Sequence, residues 1–199
     1  MLLTPEQVRP LYTGDDAAHD FDHVLRVLAN AIRIGHVEQA NMDILTTATL
    51  LHDIARPNQR RTGKDHAVEG ARRAEILLRE MNQPPAVIEA VCHAIASHRF
   101  RNNNPPQTLE AKILYDADKL DSIGAVGVAR VFAYGGHLNR PLWAEDDAGH
   151  HTSLQEFRVK LFKIKDRLFT ATAREIAVQR HTFMVNFFQQ MSAEIAGIK

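Results

Sequence analysis

An all-α fold is predicted from two features of this 199-residue sequence: its apolar residues recur at helical spacing, and the β-branched, turn-bounded runs that announce strands are missing. Thr4-Pro5-Glu6 opens a short helix, with Thr4 as cap and Pro5 at the first helical position, ending near residues 12–14. Asp15 and Asp16 are cap candidates for the next helix. Residues 20–35 place Phe21, Val24, Leu25, Leu28, Ala31 and Ile32 on one stripe, with Gly35 as the stop. A very apolar helix over 44–55, capped within Asn41-Met42-Asp43, is terminated by Pro57. A basic loop, Arg56 to Lys64, separates it from a helix over 65–81 with Ala67, Ala71, Ala74, Ile76 and Leu77 inward. Pro84-Pro85 starts a helix to about Ser97, Asn102 to Pro106 breaks the chain, and Thr108 caps a helix through Asp118. The small residues around Gly124 to Gly136 read as a closely packed helix ending near Gly135, and 137–151 as loop. Helices over 153–169 and 171–195 complete the chain, the latter carrying Phe183, Phe187 and Phe188. With no repeat, low-complexity tract or linker, one domain is expected over 1–199, with a motif core at about 15–135 and a C-terminal helical extension at about 152–197.

Composition narrows the function classes. Lys+Arg and Asp+Glu both number 24, so there is no basic excess of the kind a general nucleic-acid binder carries. The single cysteine, Cys92, excludes an internal disulfide and a Cys-rich zinc site, whereas 11 histidines direct attention to imidazole chemistry. The N-terminal residues lack the pattern of a signal peptide, and no run reaches the roughly 18 apolar residues that span a bilayer. A cytoplasmic location without membrane attachment is therefore expected.

Chemistry-bearing residues occur in order: His19-Asp20-Phe21-Asp22-His23, then His52-Asp53, then His66, then Asp116-Ala117-Asp118. An ionised carboxylate between Leu51 and Ile54 is costly unless something compensates it. A buried His–Asp hydrogen bond would do so, and so would a metal. His19 and His23, four apart, face one side of a helix. Two imidazoles and two carboxylates, from His23, His52, Asp53 and Asp118, would hold a divalent cation with room for water. This N/O set suits Mn²⁺ (manganese), Fe²⁺, Zn²⁺, Ni²⁺ or Mg²⁺ alike.

The segments HDFDHVLRV, LLHDIARP, KDHAVEGA, AIASHRF and AKILYDADKLDSIGAVGVARVF, over roughly residues 15–135, resemble the HD-domain superfamily of metal-dependent phosphohydrolases, and within it a group of small stand-alone bacterial hydrolases. The resemblance implies an all-α HD-domain helical bundle with His23, His52, Asp53 and Asp118 as metal ligands, Asp116 and Asp121 being the rival carboxylates. It also raises a second metal, because two-metal members add histidines where His66 and His98 stand; the same two could instead contact substrate phosphate. His93 is expected to pack structurally. Catalytic roles are expected for Asp53, orienting water, and for His66, His98 and Lys119, stabilising phosphoryl charge. Arg56, Lys64 and His19 are the substrate-binding candidates, with Arg60 and Arg61 read as solvated. Ser122 lacks a glycine-flanked elbow, Cys92 reads as inert, and Gly124-Ala125-Val126-Gly127 lacks the Lys-Ser/Thr of a phosphate loop.

The expected activity is metal-dependent hydrolysis of a small phosphorylated metabolite, a nucleotide first of all, in the form of (deoxy)nucleoside triphosphate hydrolysis with pyrophosphate release. Alternatives are a nucleotide phosphodiesterase and a non-catalytic, metal-containing nucleotide sensor. A homodimer through the aromatic C-terminal helices is a further expectation.

Overall fold

The computed structural model describes residues 2–12, 21–99, 104–144 and 152–198. Asp15, Asp16, His19, the first part of the 102–106 break and residues 145–151 of the 137–151 loop lie outside the described residues. Helices and turns make up all of the described secondary structure, with no strand among these residues. The chain divides into two compact units, Met1–Asp118 and Lys119–Lys199.

The first unit begins with α1 (Pro5–Val8), closed by a reciprocal capping box in which Thr4 and Gln7 bond each other's backbone N–H. The helix α2 (Phe21–Val37) buries Val24, Val27, Leu28, Ala31 and Ile34 and runs two residues past the expected stop at Gly35. It packs on α3 (Met42–Leu51), whose cap Asn41 accepts the N–H groups of Asp43 and Ile44. The predicted 44–55 helix is shorter than expected: α3 ends at Leu51, and residues 52–55 form a turn.

The expected basic loop is instead a helix, α4 (Arg56–Thr62). Pro57 does not terminate the preceding helix; it sits in the first turn of this one, where its missing N–H has no carbonyl to lose. Gly63, at φ 70°, adopts the left-handed conformation that ends α4 and returns its N–H to the Gln59 carbonyl at 2.9 Å.

Helix α5 (His66–Glu80), capped by Asp65, packs on α6 (Pro85–Ser97), and α6 packs on α3. The buried row of α5 is His66, Gly70, Ala74 and Leu78, joined by Ala67. Ile76, expected inward, is exposed, because the four-residue row that meets α6 passes through Leu78 and leaves Ile76 on the opposite side. The last helix, α7 (Leu109–Leu120), is capped by Thr108, which accepts the Ala111 N–H, and the Asn30 amide of α2 donates to the Ala117 carbonyl.

The second unit contains α8 (Gly124–His137), α9 (Ser153–Val159), a 3-10 segment (Leu161–Arg167) and α10 (Ala171–Ile195). A Cβ at Gly127 would stand 2.3 Å from the Ser122 carbonyl oxygen, so only glycine permits that approach. The continuous 153–169 helix predicted from spacing breaks at Lys160, φ −128°. Leu161 and Ile164, three apart, are both buried, and a helix of three residues per turn stacks that spacing on one side. Phe188 of α10 is buried, stacked on Phe157 at 4.3 Å between ring centroids, whereas Phe183 is exposed. Of the aromatic residues expected to form an interface, Phe188 thus belongs to the core of this unit.

Candidate metal centre

The end of α3 creates the centre of the site. His52 caps that helix and donates its Nδ1–H to the Thr49 carbonyl at 2.7 Å. A carbonyl only accepts, so the proton resides on Nδ1 and the Nε2 lone pair is bare. His98, the residue that caps α6, repeats this arrangement with the Ile95 carbonyl at 2.6 Å. His66 opens α5, its Nδ1 bonded to Gln59 Oε1 and its Nε2 3.3 Å from the Arg56 guanidinium. Since arginine only donates, Nε2 of His66 also carries a lone pair rather than a proton.

All three unprotonated nitrogens surround Asp53. His66 Nε2 and His98 Nε2 are 3.3 and 3.6 Å from Asp53 Oδ1, and His52 Nε2 is 3.7 Å from Oδ2. His66 and His98 also place Nε2 against Nε2 at 3.3 Å, a distance at which two lone pairs repel unless a cation or proton lies between them. His52 Nε2 and Asp53 Oδ1 are fully buried without a hydrogen-bond partner. Such orphans are costly, and an acceptor-only set of imidazoles and carboxylate is what a divalent cation requires.

His23, buried on α2, joins from the other side, with Nε2 3.4 Å from Asp118 Oδ1 and 3.8 Å from Asp53 Oδ2. Among the described residues, two sets of atoms therefore lie close enough to hold an ion: His23, His52 and Asp118, and His52, Asp53 and His98. The four residues expected as ligands, His23, His52, Asp53 and Asp118, lie close together, and His66 and His98 stand beside them. Arg56, 3.8 Å from Asp53, is the only permanently positive side chain in the ion pairs of this carboxylate among the described residues.

The other expected site residues are placed differently. Lys64 is exposed in the linker between α4 and α5. Lys119 follows Asp118 in α7 and is half-buried, as the first residue of the second unit. His19 lies outside the described residues. Of the rival carboxylates, Asp121 accepts the Arg130 guanidinium at 2.7 Å, and Asp116 is fully buried. His93 Nε2 accepts the Gln107 N–H, a structural bond, and burial raises the Cys92 thiol to about 11.

Three contributors are not identifiable from the sequence. Asp65 caps α5 with one oxygen and accepts Arg99 at 2.7 Å with the other, joining the residue before His66 to the residue after His98. Tyr12 donates its hydroxyl to the Leu50 carbonyl at 2.8 Å; burial, and then the Asp53 charge, raise its pKa well above the usual value. Gln59 is hidden in the segment expected to be loop, although Pro57 near its start and Gly63 at its end are the marks of a helix.

Desolvation opposes ionisation of Asp53, and the positive charge of the Arg56 guanidinium favours it; the carboxyl is held well below its usual range. Burial lowers His52 to about 4 and His66 to about 3, from 6.5. An unfolded chain protonates these imidazoles near 6.5 and the folded one does not, so the metal-free protein loses stability as pH falls below 6.5, continuing towards 4 and 3. Each histidine costs about 1.4 kcal/mol per pH unit in that window. Melting temperature measured against pH in the presence of a chelator should fall steeply from pH 6.5 to about 4.5. A flat profile would show that the rings are not held neutral.

The family model of the HD domain matches residues 20–123. The Bacillus subtilis protein YpgQ is 33% identical over 198 residues, 96% of this chain and 91% of YpgQ. The crystal structure of YpgQ in complex with ADP aligns at a TM-score of 0.80 and 30% identity, over 98% of this chain and 100% of that one. An HD-superfamily hydrolase from Bacillus thuringiensis aligns at 0.78 and 33% identity, over 96% and 94%. Ribonuclease Y of Chloroflexus aurantiacus is 32% identical over 119 residues, 60% of this chain and 21% of that protein. No helix among the described residues is long and apolar enough to cross a membrane.

Proposed function

The chain belongs to the HD-domain family and is a hydrolase of that superfamily, and on this premise we propose that it is a metal-dependent phosphohydrolase acting on a nucleotide. The observation that carries the reading is the acceptor-only cluster around Asp53, with its orphaned His52 Nε2 and Asp53 Oδ1. His23, His52, Asp53 and Asp118 would hold one divalent cation. His66 and His98, their unprotonated nitrogens 3.3 Å apart, are placed to hold a second. A divalent cation so bound lowers the pKa of water and offsets negative charge on phosphate oxygens.

The chain's own groups do the rest. Asp53 Oδ1 accepts a hydrogen from the attacking water and so orients its lone pair at phosphorus. Arg56 brings a fixed positive charge beside the same carboxylate, where a phosphoryl oxygen arrives. In a one-metal site, His66 and His98 would instead contact the phosphoryl group directly, and Lys119 supplies further positive charge to it. Lys64 and His19 are proposed contacts for the outer phosphates. Burial of Asp53, His52 and His66 excludes bulk water and strengthens each of these interactions.

The ADP complex of YpgQ supports a nucleotide as substrate. A (deoxy)nucleoside triphosphate is the form to test first, water attacking the α-phosphorus as the bond to the β-phosphate oxygen breaks and pyrophosphate leaves. The similarity to Ribonuclease Y favours a second reading, cleavage of a phosphodiester. Product release from nucleoside mono-, di- and triphosphates, cyclic nucleotides and short oligonucleotides, each with Mn²⁺, Mg²⁺ or Zn²⁺, separates the two. Pyrophosphate from triphosphates alone supports the first reading; diester cleavage alone replaces it with the second. Binding of nucleotide and metal without any product identifies a sensor.

A further inference from the structure

Helix α4 reaches both nitrogens of one imidazole. Arg56 and Gln59 are three residues apart and so share a face. Arg56 donates to His66 Nε2 at 3.3 Å, and Gln59 Oε1 stands against His66 Nδ1. Because a guanidinium cannot accept, Nε2 must present its lone pair, the proton must sit on Nδ1, and the amide atom facing it must be the oxygen. The ring therefore has a defined tautomer, held from two sides by a single turn of helix.

The competing tautomer is attractive. With the proton on Nε2, His66 would turn an N–H towards Asp53 Oδ1, 3.3 Å away, and a small reorientation of the ring would complete a charge-assisted hydrogen bond. That bond would use up both the nitrogen lone pair and the carboxylate oxygen on which the site depends. His98 is protected from the same collapse by the Ile95 carbonyl of its own helix, and His52 by Thr49. His66 is the first residue of α5, so no carbonyl one turn earlier in its own helix exists to do this. The acceptor must come from elsewhere.

We propose that Gln59 is a positioning residue of this site: its side-chain oxygen holds the His66 proton on Nδ1 and keeps Nε2 open towards Asp53. The inference rests on the metallohydrolase reading only for its consequence in turnover, not for the tautomer itself.

The test compares wild type with Gln59→Met, which keeps the length but lacks an acceptor, and Gln59→Glu, which keeps one. In metal-free protein, ¹⁵N spectra of His66 should show a protonated Nδ1 and an unprotonated Nε2 in wild type and Gln59→Glu. In Gln59→Met the proton should move wholly or partly to Nε2. Mn²⁺ affinity and turnover should fall by about 10–100-fold in Gln59→Met and recover substantially in Gln59→Glu, with circular dichroism unchanged throughout. An unaltered tautomer and Mn²⁺ affinity in Gln59→Met would overturn the proposal, as would a tautomer that Gln59→Glu fails to restore. If wild type turns over no substrate while the tautomer shifts as stated, the positioning role stands and the hydrolase reading fails.

Discussion

Asp53→Asn is expected to lower turnover by about 10³-fold or more while leaving the metal-free protein about as stable as wild type. The first effect comes from charge: the amide is a poor metal ligand, and the site loses a carboxylate towards which His52, His66, His98 and His23 all converge. The second comes from hydrogen bonding. Asp53 Oδ1 has no donor, and the unprotonated Nε2 atoms of His66 and His98 lie 3.3 and 3.6 Å from it. An amide nitrogen in that place offers a donor to His66 Nε2, the nearer of the two, which the native carboxylate cannot supply. Loss of the Asp53–Arg56 pair at 3.8 Å works against this gain, but Arg56 is partly exposed and keeps His66 as a partner. Activity lost together with a retained melting temperature is the signature of a residue kept for chemistry rather than for stability. Wild-type turnover in Asp53→Asn would remove Asp53 from the mechanism, and a large drop in melting temperature would assign it a structural role.

Metal addition should give the largest effect on stability. At a free cation concentration about one hundred times its dissociation constant, the folded protein gains about 2.7 kcal/mol. For a chain of this size that corresponds to a rise of roughly 5–11 °C in melting temperature. His52→Ala should abolish most of the rise, because His52 belongs to both sets of converging atoms and its Nε2 has no other partner. Titrating chelator-treated wild type and His52→Ala with Mn²⁺, Mg²⁺, Zn²⁺, Fe²⁺ and Ni²⁺ in a thermal-shift assay also ranks the metals. No shift with any of them in wild type would remove the metal from this reading.

Much of the proposed site is legible in the sequence because its candidate ligands are announced by local conflict. His52 and Asp53 stand polar in an apolar stretch, and Asp118 closes another. The convergence of His23, His66 and His98 on the same carboxylate is signalled by motif order rather than by spacing. The differences between expectation and structure cluster at the segment after Asp53. Pro57 reads as a terminator, and the polar run Arg56–Thr62 has no apolar stripe, so its helix leaves no periodic signal. Hidden with that helix are Gln59 and its reach to His66. In the second unit, the break at Lys160 leaves no mark either, because Leu161 and Ile164 suit a three-residue period as well as one of about 3.6.

Helical content, most caps and the residue types available for metal chemistry are determined by the sequence alone, since each depends on neighbours within about one helical turn. Only the tertiary structure decides which nitrogen of each imidazole keeps its lone pair. That choice is made by the partner of the opposite nitrogen, and for His66 both partners come from a different helix. It also decides that Asp53 Oδ1 is buried without a donor, because His66 of α5 and His98 at the end of α6 meet it with unprotonated nitrogens and Arg56 pairs with the other oxygen. The choice of candidate ligands is thus a local property of this chain, and their readiness to bind a cation a property of how its helices meet.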